Sequence, residues 1–220
     1  MKDVILFTNS TMLTPMNTET IHGKRGCVEI LKQDYNVVGY GISGLTIFEA
    51  RHHVPVILEN YHYGTWIIVC LGVVEAYSHT AREFLHWYDN YIINGNPDHT
   101  FYKFIDSKLK EAKSNPHGFY RLLEPDEFRE LFETFLWSFV SYPVICLGLS
   151  KPTKDSFKRK PHWVVQADEY RNVIESVGKK LLNIHYIDMW NDFGEYVVDS
   201  THMTEEGHVI LAERIRGVIG

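Results

Sequence analysis

Cysteine is scarce in this chain: Cys27, Cys70 and Cys146 are the only three in 220 residues. The number is odd, and Cys70 and Cys146 lie inside strand-like runs, so buried reduced thiols are expected rather than disulfides. No Cys/His spacing reads as a zinc site, and no metal is expected. Long hydrophobic runs are also missing. None approaches the ~20 residues that cross a bilayer. The start, "MKDVILFTNS", holds only "VILFT" between Asp3 and Asn9, which reads as a first strand and not as a secretion signal. A cytoplasmic location without a membrane partner is therefore the expectation. Nor is there an excess of positive charge. Lys and Arg total 22 against 28 Asp and Glu, a net −6 with pI near 6.0, which argues against a nucleic-acid partner. Internal repeats, low-complexity tracts and linkers are absent as well. One domain over residues 1–220 follows, long enough to bury a substantial core.

What is present is a set of short apolar runs: "DVILFT" (3–8), "YNVVGY" (35–40), "TWIIVCLG" (65–72), "YPVICLG" (142–148) and "NIHYIDM" (183–189). They are rich in Val and Ile and nearly continuous, as in strands covered on both faces. Between them stand stretches with helical spacing, among them 126–140, 167–182 and 204–219. Strand–helix alternation predicts an α/β fold, a three-layer α/β/α sandwich on a parallel sheet. The interval between the third and fourth runs, about 70 residues, is too long for one crossover. Its segment at about 76–122 reads as a helical, aromatic-rich insertion, either an extra covering layer or a lid over a substrate pocket.

Gly39, Gly41 and Gly44 spell G-x-G-x-x-G after the second run, a spacing found in dinucleotide-binding turns. Glu59 stands at the distance of the acid such a turn requires. Against this, few residues remain for the helix, and Pro55 would sit inside the following strand, where it removes a ladder donor. The competing reading makes 45–60 helical, interrupted near Pro55, with Gly39 and Gly41 in a tight strand-to-helix turn.

Chemistry gathers at the two ends of the chain. "VVDSTHMTEEGHVILAERI" (197–215) places Asp199 and His202 three apart, just before a helix with Thr204 as its cap. A carboxylate there can hold one imidazole nitrogen and leave the other as a general base. Ser10 follows the first strand, at the edge where α/β sites are built. Together they form a nucleophile, base and orienter for acyl transfer. His52 and His53 diverge on a helix, and His208 is expected to be partly exposed.

With these residues in place the chain resembles the SGNH hydrolases, the GDSL-like esterases and lipases. The resemblance spans the chain outside 76–122, and "DSTHMTEEGHVILAERI" is its most specific part. It implies a five-stranded parallel sheet in a flavodoxin-like arrangement and a serine esterase that works through an acyl-enzyme without a cofactor. Ser10 in "FTNSTML" takes the nucleophile's place, and Gly44 in "GISGLT" that of the oxyanion-hole glycine. Asp199 and His202 take the places of the D-x-x-H pair. The backbone amides of Ser10 and Gly44 then form the hole, and the substrate is a small acyl ester or acylated sugar.

Two positions depart from the pattern. The usual Gly-Asp-Ser reads Thr8-Asn9-Ser10, where Asn9 keeps the shape of Asp without its charge. The third block reads "LGVVEAY", so Val74 stands where an oxyanion-hole Asn is expected. Losing one such donor costs about 10²–10³ in rate. An ionised Glu75 cannot replace it, since a carboxylate only accepts hydrogen bonds. A backbone amide, or a side chain from the insertion such as His79 or Arg82, is the candidate replacement. Family members of polysaccharide and secondary-metabolite pathways carry a similar Gly-x-Val-acid block, which keeps an acyltransferase open as the alternative. A non-catalytic binding protein on the same scaffold is a further one. The basic stretch "KPTKDSFKRKP" (151–161) is either a solvated loop or a seat for an anionic group such as a phosphopantetheine, coenzyme A or a nucleotide sugar.

Overall fold

The computed structural model describes residues 1–8, 12, 26–41, 45–94, 99–159, 161–198 and 202–220. Its strands are β1 (Asp3–Thr8), β2 (Asn36–Gly41), β3 (Trp66–Cys70), β4 (His79–Thr80), β5 (Phe119–Tyr120), β6 (Val144–Leu147) and β7 (Ile184–Ile187). The first helices are α1 (Cys27–Leu31), α2 (Ile47–His52), α3 (Val54–Asn60), α4 (Val73–Ala76), α5 (Ala81–Asn94) and α6 (His99–Ser114). They are followed by α7 (Pro125–Trp137), α8 (Lys154–Arg159), α9 (Pro161–Gly178), α10 (Met189–Asp192) and α11 (Glu205–Ile219).

The five apolar runs are the five strands of one parallel sheet, ordered β2-β1-β3-β6-β7. Successive residues of a strand point to opposite faces, and both faces are covered. Ile5, Phe7, Ile67, Val69 and Cys146 join the cluster that holds Phe48 of α2, Phe135 of α7 and Ile174 of α9. Val4, Leu6, Ile68, Cys70 and Ile145 join the other, with Val28 of α1 and Leu211 and Ile215 of α11. Two-sided burial explains the absence of polar alternation in the runs. Val4, Ile5, Leu6 and Phe7 are all wholly buried, each worth roughly 1.5–3 kcal/mol of transfer free energy.

Residues 47–60 are helical and broken at His53, between α2 and α3, with Pro55 in the first turn of α3. There its missing N–H needs no partner. The strand required by the dinucleotide reading is thus a helix, and Glu59 lies exposed on it. Gly39 does not sit in a turn: it pairs with Leu6 inside β2, and a Cβ added to it would meet nothing within 4 Å.

In the 76–122 segment, β4 and β5 form an antiparallel ribbon, His79 opposite Tyr120, with α5 and α6 between them. Phe84, Phe101 and Phe104 are buried, and Phe101 meets Phe48 of α2 edge-on at 5.2 Å. These rings pack α5 and α6 onto the sandwich. Tyr102 and Phe119 remain exposed.

Candidate active site

Parallel strands end at one edge, so Thr8, Gly41, Cys70, Leu147 and Ile187 terminate together. The chain leaves β1 for β2 on one side and returns to β3 on the other, which makes the β1/β3 ends the topological switch point where α/β ligands bind. Asn9, Ser10, Gly44 and Asp199 lie outside the described residues. The frame around them is described. Thr8 is buried, and its side chain hydrogen-bonds to that of Cys70. Met12, two residues beyond Ser10, and Met203, next to His202, are both wholly buried in the same apolar cluster as Leu6 and Cys70. The flanks of the two sequence-distant candidates are thus anchored in one core.

His202 is half-buried. Val197 and Met203 form an antiparallel bridge, the Val198 N–H donates to the His202 carbonyl at 2.8 Å, and the Thr204 N–H donates to Tyr196 at 2.8 Å. Thr204 caps α11 as expected, its hydroxyl accepting the Gly207 N–H at 3.1 Å. Gly207 is required where it stands, since a Cβ would lie 2.7 Å from Cβ of Tyr196. These contacts fix where the backbone delivers His202.

The third block turns sharply after β3. Gly72 has φ 101°, and a Cβ on it would stand 2.8 Å from Ile174 Cδ1 and 3.1 Å from Phe128 Cζ. This left-handed conformation starts α4. Val74, on that helix, is half-buried, whereas Glu75 has no exposed surface. Glu75 Oε1 accepts the Ile47 N–H of α2 at 2.5 Å, and Oε2 has no hydrogen-bond partner among the described residues. Burial pushes its carboxyl up to about 7, opposed chiefly by the Ile47 N–H. The same helix start is closed by a capping box. Thr46 Oγ1 accepts the Glu49 N–H, and Glu49 Oε2 accepts the Thr46 N–H. Glu75 was a pocket candidate in the sequence; in the fold it is an internal brace between the β3 and β2 connections.

His79 is half-buried in β4, its ring 5.3 Å from that of Tyr77. Arg82 is exposed on the first turn of α5, where it lines a cleft with Thr80, His86, Asp89 and Lys113. Lys151, Lys154 and Lys158 are exposed after β6, and Lys158 pairs with Asp155 at 3.4 Å. Cys27, Cys70 and Cys146 are free and buried, and burial raises all three thiols, that of Cys70 to about 12. His208 departs from expectation. It is wholly buried, and its Nδ1 accepts the Cys27 N–H at 3.1 Å, which places the ring proton of the neutral form on Nε2. Its position one turn into an amphipathic helix gave no sign of this, because the partner is 181 residues away. Among the described residues no group of His, Cys, Asp and Glu could hold a metal ion, and no helix is long and apolar enough to cross a membrane.

Comparison with solved structures places this architecture. A lipase/acylhydrolase from Enterococcus faecalis superposes with a TM-score of 0.61 at 17% identity, over 100% of this chain and 96% of its own. A member of the lipolytic G-D-S-L family from Veillonella parvula gives 0.58 at 14%, over 99% and 98%. The acetyl xylan esterase AlAXEase gives 0.59 at 13%, over 99% and 100%. The fold is that of the SGNH hydrolases. No protein-family model matches the chain, and no curated protein matches it in sequence. At this divergence the SGNH fold is retained through the sheet order and the covering helices, while most side chains differ. The Gly72 turn lies where the sequence carries the third block, and the Val197–Met203 bridge flanks the D-x-x-H pair in sequence.

Proposed function

We propose that this chain is an ester hydrolase that acts through a serine acyl-enzyme. In this reading Ser10 Oγ attacks the acyl carbonyl, and His202 takes its proton and returns it to the leaving alcohol. Asp199 holds the imidazole, and the amides of Ser10 and Gly44 receive the developing oxyanion. The observation that supports it best is the shared anchoring of Met12 and Met203 in one cluster beneath the β1 and β3 ends. It ties the chain beyond Ser10 and the chain beyond His202 to one core. With Val74 in place of an amide side chain, the hole has two backbone donors. That suits acyl groups on good leaving groups, or an ester whose own polar groups help hold it. Acylated sugars are the substrate class we favour, in keeping with the acetyl xylan esterase and carbohydrate acetylesterase among the structural neighbours.

The exposed Lys151, Lys154 and Lys158 favour a second reading, transfer of the acyl group to or from a phosphorylated carrier rather than to water. Hydrolysis of p-nitrophenyl acetate and of acetylated xylo-oligosaccharides, with and without acyl-coenzyme A, separates the two. Turnover lost in Ser10→Ala at unchanged thermal stability supports the serine mechanism. Retained turnover in that variant refutes it, and an inert wild-type protein that resists a serine-reactive phosphonate supports a non-catalytic scaffold.

A further inference from the structure

We infer that Glu75 is a positioning residue that locks the start of α2, the helix that follows the glycine segment in sequence, to the turn beyond β3. The inference rests on the ester-hydrolase reading for its catalytic consequence, but the lock itself does not. Ile47, whose N–H is held, lies three residues after Gly44 in sequence. The N–H groups of a first helical turn have no partner within the helix. In α2 the Glu49 N–H goes to Thr46, while the Ile47 N–H goes to a side chain 28 residues away, carried on α4 just beyond the Gly72 turn.

The carboxyl is an unusual choice of brace. A neutral acceptor would hold the same N–H without the cost of burying a charge. Glu75 is instead fully enclosed, with Oε2 unpartnered among the described residues. The backbone groups of Ile47, Glu75 itself and Gly72 oppose burial but do not outweigh it. From α2 the carboxylate of Glu49 acts in the same sense as burial. From α9 Tyr170 lies near enough to interact, but its hydroxyl donates to the Leu123 carbonyl. No cation answers Glu75 among the groups that perturb it, and it therefore changes charge near neutrality. When ionised it grips the Ile47 N–H more strongly, since a charged acceptor makes the stronger bond. When protonated it becomes a donor through Oε2 while the lock loosens.

The test reads the lock and the catalysis separately. In the wild-type protein the Ile47 amide resonance should titrate between pH 5 and 9, and in Glu75→Gln it should be flat. A wild-type resonance that does not move, or that follows an ordinary glutamate, overturns the lock. For catalysis, Glu75→Ala should lower kcat on p-nitrophenyl acetate about 10²-fold, as a small misplacement of a reacting group does, with KM little changed. Glu75→Gln keeps the acceptor and should restore most of kcat, with a flattened pH profile. Should Glu75→Ala not fold, Glu75→Asp, one methylene short of Ile47, takes its place. Equal kcat in wild type and Glu75→Asp or Glu75→Ala overturns the positioning role. An inert wild-type protein whose Ile47 amide still titrates would sink the ester-hydrolase reading and leave the lock standing.

Discussion

Gly72→Ala is the perturbation that most directly probes how the third block is built. An alanine at φ 101° pays for a conformation that L-residues avoid, about 1–3 kcal/mol. Its Cβ would also lie 2.8 Å from Ile174 Cδ1 and 3.1 Å from Phe128 Cζ, two side chains packed in the main core. Overpacking of that kind adds about 1–3 kcal/mol. The unfolded chain gives back about 0.4–1 kcal/mol, because alanine has less freedom to lose than glycine. The net expectation is a loss of about 1–5.5 kcal/mol. In a chain of 220 residues each kcal/mol moves Tm by about 2–4 °C. Thermal unfolding followed by far-UV circular dichroism should therefore show a fall of at least about 2 °C. Gly39→Ala is the internal control. It sits in β2 with open space where Cβ would go, so it should leave Tm unchanged or raise it slightly. If both substitutions have the same small effect, the left-handed turn at Gly72 is not what holds α4 in place.

Asp199→Asn should reduce turnover more than stability by favouring the wrong imidazole tautomer, and His202→Ala should be at least as damaging; wild-type rates in both would remove the pair from the site. Val74→Asn should raise the rate on p-nitrophenyl acetate by up to ~10²-fold, the worth of one oxyanion donor, and a loss would show that another group fills that position. The Glu75 carboxyl also makes a stability prediction. Its folded value of about 7 lies above the usual 4.5. The folded state thus holds its proton longer than the unfolded state, and this contribution falls as pH rises through that window and levels off above it. The expected loss is about 3 kcal/mol between pH 4 and 8 relative to Glu75→Gln. Urea unfolding of both proteins at pH 4 and 8 measures it, and a pH-independent difference would refute a buried titrating carboxyl.

The sequence alone determined the layers. Continuous Val- and Ile-rich runs such as 66–70 can be covered only from both sides, and helical stripes such as Phe128, Leu131, Phe132 and Phe135 supply the cover. That logic is local in the chain and survives at 17% identity or less to solved structures of the same fold. The Thr204 cap and the break near Pro55 were legible for the same reason, since each depends on neighbours within a few residues. Tertiary structure decided what depends on contacts between distant segments. His208 was expected to be partly exposed, but α1 brings the Cys27 N–H to its ring and the side chain is wholly buried. Gly39 looked like part of a turn, yet Gly72, which no spacing rule singled out, carries a positive φ. Glu75 read as a pocket acid beside a missing amide, but the β3-to-α4 turn directs it inward onto Ile47. A one-dimensional pattern records which residues are apolar, and at what period. Which polar group meets which is set by the packing of elements that lie far apart in the chain, and that is where the brace beneath the candidate site is found.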